Sequence, residues 1–374
     1  MSLIKLFRGK NIPTQSSKAE PPTSDGQLFE ATGSDPFETI GQTQNWNLLP
    51  SDSLIMVMGV TGSGKSYFIN QLRPNSAAEG HGLQSETKVC QIVRTNIGAT
   101  TVAMIDTPGF DDEEIDDAET LGIITRLLTT QFRLGIRLKG IIYLHRINDT
   151  RFSGSARRFL KVFQEVCGEN AIPNIALVTT MWSKSPHQIY LQRDVQLQNN
   201  WWAQLISKGA LIFQYDGSRA MAETIVGQLF RERDVVLKIQ HQLSNEHHLL
   251  EQTSAGALVS SEIEERLTIL DEEVRSIADD ITEANKSGNR EKAHQLNIQL
   301  QEQSSRRERQ AMAREELKQD IDSDTGSEIE RAVETKKSKG ERWESRLQVF
   351  EAVVGQLIPP RATKTTDLEV LNCK

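Results

Sequence analysis

The stretch GVTGSGKS at residues 59–66 constrains this chain more tightly than any other feature. Its spacing is G-x-x-x-x-G-K-[ST], with Gly59, Gly64, Lys65 and Ser66 at the defining positions. The apolar run LIMVM (54–58) precedes it and the helical pattern YFINQL comes after it, so a strand must turn through glycines straight into a helix. Such a turn aims main-chain N–H groups and the positive end of the helix at one point, which suits a polyanion. Lys65 then supplies an ammonium group to the β- and γ-phosphates of a nucleoside triphosphate, and Ser66 a hydroxyl to Mg²⁺. Thr61, Gly62 and Ser63 in the loop, with Tyr67 just beyond it, are expected to complete these contacts.

A second motif, VAMIDTPGF (102–110), lies about forty residues later. Asp106 closes an apolar strand, where a carboxylate reaches Mg²⁺ through water, and Gly109 can turn its N–H toward a γ-phosphate. A bare strand-ending turn would account for Thr-Pro-Gly but not for the acid in front of it. Acids then crowd residues 111–119: Asp111, Asp112, Glu113, Glu114, Asp116, Asp117 and Glu119. They suit the start of the next helix, where negative charge meets the helix dipole, or a second metal site.

Around these motifs the chain alternates. Strand patterns at 54–58, 88–95, 100–106, 140–144, 175–180 and 210–215 are separated by helical segments such as GSARRFLKVFQEVCG (154–168). That order predicts an α/β unit over 51–228, with a mostly parallel six-stranded sheet, one antiparallel strand and helices on both faces. The segment 1–50 is rich in Ser, Thr, Pro, Gln and Gly and reads as a disordered arm. Beyond 228, Leu229, Val236, Leu243 and Leu250 recur at sevenfold spacing, and Ile263, Leu267, Leu270, Val274, Ile277, Ile281 and Ala284 step by four and three. Ser287-Gly288-Asn289 permits a reversal, so 229–325 reads either as a helical hairpin on the same chain or as a coiled coil joining two chains. In the last segment, 326–374, LQVFEAVVGQLI reads as a docking helix stopped by Pro359-Pro360.

Charge excludes some classes. With 25% charged residues and a formal charge of −8, no basic excess points to nucleic acid. No apolar run reaches the roughly 18–20 residues that span a bilayer. Cys90, Cys167 and Cys373 have no metal-ligand spacing and read as reduced thiols in a cytoplasmic protein, two of them buried.

GVTGSGKS, SETKVCQ (85–91), AMIDTPGF and YLHRINDTRFSGSARRFLKVFQEVCG (143–168) resemble the septin-related G domains of the GIMAP and chloroplast Toc type, and the fungal G-domain proteins allied to them. The resemblance covers about 53–227 and implies a P-loop NTPase G domain that binds GTP with Mg²⁺. It implies that Thr87 is the switch threonine, meeting Mg²⁺ beside Ser66 and Asp106, although Thr95 and Thr100 compete for that role. It also implies partners: a guanine nucleotide, a homodimer through the G domain or the coiled coil, and an unidentified protein.

The departure lies at the base. Such domains read guanine through the Asp of [NT]-K-x-D, whereas this strand ends LVTTMWSK (177–184). Thr180 stands where Lys is expected, and Trp182 or Ser183 where Asp is. Without the carboxylate, the main discrimination of guanine from adenine is gone. Trp182 can stack on the base or pack in the core, and Asp216 or Ser218 in YDGSR (215–219) can close over it. Phe110 comes after Gly109, where small GTPases carry a water-orienting Gln, and Arg94, Arg146, Arg151 and His81 read either as solvated surface groups or as polar groups for the phosphates. The expected function is a GTP-binding switch with slow hydrolysis. The alternatives are a nucleotide-binding scaffold without turnover and an ATP-using P-loop protein.

Overall fold

The computed structural model describes residues 53–77, 90–98, 100–109, 117–183, 188–339 and 345–356. The arm at 1–50, the GHG loop with His81, Thr87, Phe110, the acids at 111–116 and Cys373 lie outside the described residues.

The first half alternates strands and helices: β1 (Ser53–Gly59), α1 (Lys65–Leu72), β2 (Gln91–Ile97), β3 (Thr100–Asp106), α2 (Asp117–Arg133), β4 (Arg137–Arg146), α3 (Gly154–Cys167), β5 (Ile175–Thr180), α4 (Gln188–Gln196), α5 (Ala203–Ser207), β6 (Leu211–Gln214) and α6 (Arg219–Leu229). The sheet order is β2-β3-β1-β4-β5-β6. Only β2 runs antiparallel, paired with β3 from Gln91↔Asp106 to Ile97↔Thr100, and the remaining pairs are parallel. The sequence-predicted α/β sheet with one antiparallel strand is therefore the observed fold.

β1 is buried along its whole length because it lies at the centre of a sheet covered on both faces. Its side chains alternate accordingly. Leu54, Met56 and Met58 join the core under α2 and α3, whereas Ile55 and Val57 join Phe68, Ile69, Ile225 and Val226 under α1 and α6. Cys90 and Cys167 are both buried free thiols, as expected, and burial pushes both thiols up.

The expected seam through Leu229, Val236, Leu243 and Leu250 is not a helix face. α6 stops at Leu229, and the chain continues through α7 (Lys238–Gln240) and short irregular turns at 241–245 and 250–252. Leu229, Leu243 and Leu250 are buried at separate points of the core, while Val236 is 50% exposed. Sevenfold spacing arose because an irregular strap happens to bury those leucines, and spacing alone does not report continuity.

The second seam is a helix: α8 (Ser254–Lys286) spans about 50 Å at 1.5 Å per residue. It reverses at Gly288, whose φ of +70° is cheap for glycine, and returns antiparallel as α9 (Arg290–Glu316). Arg314 pairs with Glu264 at 2.8 Å, and Arg307 pairs with Asp271, so the two arms meet within one chain. The base of α8 packs on α3 and α2 through Val259 and Ile263.

The chain then returns to the sheet. α10 (Ile321–Ser338) lies on α2, where Arg133 forks onto Asp322 and Arg126 reaches Asp324 at 3.2 Å. In α11 (Arg346–Gln356), Leu347, Val349, Phe350, Val353 and Val354 all join the core that contains Leu54 and Tyr143. The expected docking helix is thus a layer of the main core.

Candidate nucleotide site

The site is built at the ends of β1 and β3. Gly59, Gly62 and Gly64 have φ of +150°, +74° and +90°, and a Cβ on Gly59 would fall 2.8 Å from Ser63 Oγ and against Leu144 O. The loop therefore bends where only glycine fits, and α1 begins at Lys65. Lys65 is 6% exposed, and its Nζ donates back to Gly59 O at 3.2 Å and Val60 O at 3.3 Å. The ammonium is thereby held along the inner side of the loop. Thr61 Oγ1 and Ser63 Oγ are buried with no hydrogen-bond partner among the described residues. Two orphaned hydroxyls in a glycine cradle are donors suited to phosphate oxygens.

Beside them, Ser66 Oγ donates to Asp106 Oδ2 at 2.6 Å, while Asp106 Oδ1 is buried and has no partner among the described residues. Burial pushes the Asp106 carboxyl above its usual range, against the lowering pull of the Lys65 charge and the Ser66 hydrogen bond. A hard divalent cation satisfies such a hydroxyl–carboxylate pair, and Ser66 and Asp106 fit Mg²⁺. Gly109 serves a second purpose. A Cβ there would lie 2.6 Å from Thr61 N and also meet Thr61 Oγ1, so the loop after β3 touches the phosphate loop directly. Thr107 ties the same ends together by donating to Val57 O at 2.9 Å.

The base side differs from expectation. Thr180 is 4% exposed, and its hydroxyl donates to Ser63 O at 2.8 Å, holding the phosphate loop against β5. Thr180, expected at the Lys position, thus holds the phosphate loop instead, and Met181 comes next. Met181 has φ +62°, is 45% exposed, and its Cε lies 3.6 Å from a Cβ built on Gly64. It stands over the loop, and the motif alone does not reveal it because two consecutive threonines leave the register ambiguous. Counted from Thr180 as the first position, Ser183 is the fourth residue of the run, one of the two places expected for the Asp.

Trp182 Nε1 donates to Thr179 O and Thr179 Oγ1, each at 3.1 Å, and its ring meets Tyr190 edge-on. It is partly buried against the core, which is the packing reading of this residue. Ser218 caps α6 by accepting from Met221 N at 3.2 Å, and its own N–H goes to Asp216 Oδ1. That hydrogen bonding from Ser218 holds the Asp216 carboxyl below its usual range. Tyr67 Oη donates to Gly217 O at 3.2 Å, so α1 anchors this loop.

Among the candidate arginines, Arg94 is forked onto Glu351 of α11 at 2.8 and 2.9 Å and is committed to packing. Arg146 pairs with Asp149 at 3.1 Å, and its Nη1 lies 2.9 Å from a Cβ built on Gly62, so it borders the loop. Asp117 and Glu119 lie in the first turn of α2, as the helix-start reading expects.

Residues 54–178 match the family model described as 50S ribosome-binding GTPase. That segment has the fold of a P-loop G domain. Translocase of chloroplast 34, chloroplastic, from Arabidopsis thaliana is 26% identical over 191 residues, which is 51% of this chain and 59% of the relative. Among solved structures, Toc33 from Arabidopsis thaliana in complex with GDP and Mg²⁺ is 16% identical, with a TM-score of 0.40 over 49% of this chain and 86% of that one. Its complex with Mg²⁺ and GMPPNP is also 16% identical, with a TM-score of 0.40 over 50% and 88%. A putative nucleolar GTP-binding protein 1 from Plasmodium falciparum is 17% identical, with a TM-score of 0.32 over 50% and 90%. No helix among the described residues is long and apolar enough to cross a membrane.

Proposed function

We propose that this chain binds a guanosine triphosphate with Mg²⁺ and hydrolyses it slowly, acting as a switch. The observation that carries the proposal is the Ser66–Asp106 pair at 2.6 Å beside a glycine loop, where Asp106 Oδ1 and the Thr61 and Ser63 hydroxyls are buried with no partner among the described residues. Mg²⁺ held by Ser66 and Asp106 would supply charge neutralisation to the phosphates. The chain supplies the cradle, the Lys65 ammonium and the Ser66 hydroxyl. Slow turnover is expected because Phe110 stands where a water-orienting Gln is usual. Thr87 and Gly109 are the proposed γ-phosphate contacts, and loss of that phosphate releases the segments around them.

Met181 over Gly64 and Ser183 in place of the Asp favour a second reading, in which adenine and guanine are accepted alike. Competition of labelled GTP against unlabelled GTP and ATP separates the two, with phosphate release measured beside a Lys65→Ala control. Guanine selectivity with turnover above the control supports the switch. Equal competition overturns the guanine assignment, and release no faster than the control overturns hydrolysis in favour of a scaffold. The proposed setting is cytoplasmic, with self-association through the G domain or the hairpin measured by sedimentation with each nucleotide.

A further inference from the structure

A cavity of about 80 Å³ lies between the end of β4 and the α4 region, lined by Arg146 and by no residue of the phosphate loop. One water needs roughly 10–15 Å³ measured this way, so the space holds several waters or one small ion, and far less than a nucleotide. Its wall is rich in donors. Arg146, Arg151 and Arg193 line it, with Asp149 as the one carboxylate and with His145, Phe152 and Trp201 as its rings.

Asp149 is already matched by Arg146 at 3.1 Å. Arg193 Nη1 donates to Ile147 O and Asn148 O at 3.2 and 3.0 Å, which fixes the loop and leaves its other N–H groups. Arg151 has no hydrogen-bond or ion-pair partner among the described residues. His145 is 3% exposed, and its Nδ1 is buried without a partner among the described residues. Its ring packs 6.4 Å from that of Trp202, whose Nε1 is likewise buried and unpartnered. Arg151 is exposed and Arg146 and Arg193 are half-buried, and these three guanidinium groups against one carboxylate leave the wall positive. Burial also holds His145 neutral, with its pKa lowered to about 4, so the ring itself adds no charge.

We propose that this cavity is a binding site for one small oxoanion of the phosphate type, held by Arg151, Arg193 and Arg146 and separate from the glycine loop. Guanidinium forks suit such oxygens, and the cavity volume restricts the ligand to the free ion. The site does not depend on nucleotide hydrolysis.

The test is calorimetric titration of inorganic phosphate at constant ionic strength into the full chain carrying Lys65→Ala, which weakens the glycine loop as a competing phosphate site. One saturable site is expected. Adding Arg151→Gln should weaken it at least tenfold, whereas Arg157→Gln, which lies over the Trp201 ring but does not line the cavity, should leave it unchanged. Absence of saturable binding in the Lys65→Ala chain overturns the proposal, and so does binding that Arg151→Gln does not weaken. Nucleotide retention by the unaltered chain is measured separately, so failure of the G-domain reading is not confused with failure of this one.

Discussion

Replacing Thr180 with valine removes one hydroxyl and keeps the branched shape that β5 favours. The hydroxyl donates to Ser63 O at 2.8 Å and lies 3.3 Å from His145 O, in a position 4% exposed. A buried hydrogen bond contributes about 0.5–1.5 kcal/mol net, and a carbonyl left dry and unpaired costs about 1–3 kcal/mol. The expected loss of stability is therefore about 1–2 kcal/mol, read as a lower urea midpoint at unchanged m-value. Because Ser63 lies in the phosphate loop, a loop released from β5 must be re-ordered before it grips phosphates. About 1.4 kcal/mol of re-ordering corresponds to tenfold in affinity, so nucleotide binding should weaken by up to about that factor. Thr180→Ser keeps the donor and should retain most of both. If the valine variant loses stability but binds nucleotide as tightly as the unaltered chain, the glycines alone hold the loop and the tether argument is wrong.

Other outcomes rest on the same geometry. Burial raises the Asp106 pKa, so its proton is favoured in the fold and ionisation weakens the fold as pH rises through the raised value. Asp106→Asn should thus raise the thermal midpoint of the nucleotide-free chain at neutral pH while abolishing the Mg²⁺ dependence of nucleotide binding. His145 has the opposite sign: with its pKa lowered from 6.5 to about 4, it removes stability as pH falls through that window, and unfolding of His145→Gln should show a smaller loss there. Phe350→Ala should cost about 3–5 kcal/mol in denaturant unfolding, because the ring is fully buried. Glu351→Ala should cost about 1 kcal/mol or less, because its pair with Arg94 is roughly one-third exposed.

Much of the site was legible in the chain. Gly59, Gly64, Lys65 and Ser66 fall where the motif places them, since a strand-to-helix turn of that length has few conformations and the motif specifies local backbone. Asp106 was readable for the same reason, as the last residue of an apolar strand. The roles of Thr180, Trp182 and Ser218 were not. Each was a candidate base contact by position, and each has its polar atom engaged within the fold, by Ser63 O, by Thr179 and by Met221 N. Which neighbour claims a hydroxyl or an indole depends on strands and loops distant in sequence, and no local pattern records it.

The helical half shows the same division. α8 was visible because its face repeats without interruption, and its turn because glycine tolerates φ +70°. The Leu229–Leu250 repeat carried an equal spacing and no helix. By itself, the sequence determined the phosphate cradle, the alternating sheet and the long helix α8, because backbone conformation and side-chain periodicity are short-range properties. That α9 returns onto α8 within the same chain, rather than a second chain pairing with it, was decided by the tertiary structure. Tertiary structure alone decided that α10 and α11 close the core of the G domain, that Met181 stands over the loop, and that three arginines surround one cavity. Those outcomes depend on burial and charge shared between segments far apart in the chain, which only the folded arrangement brings together.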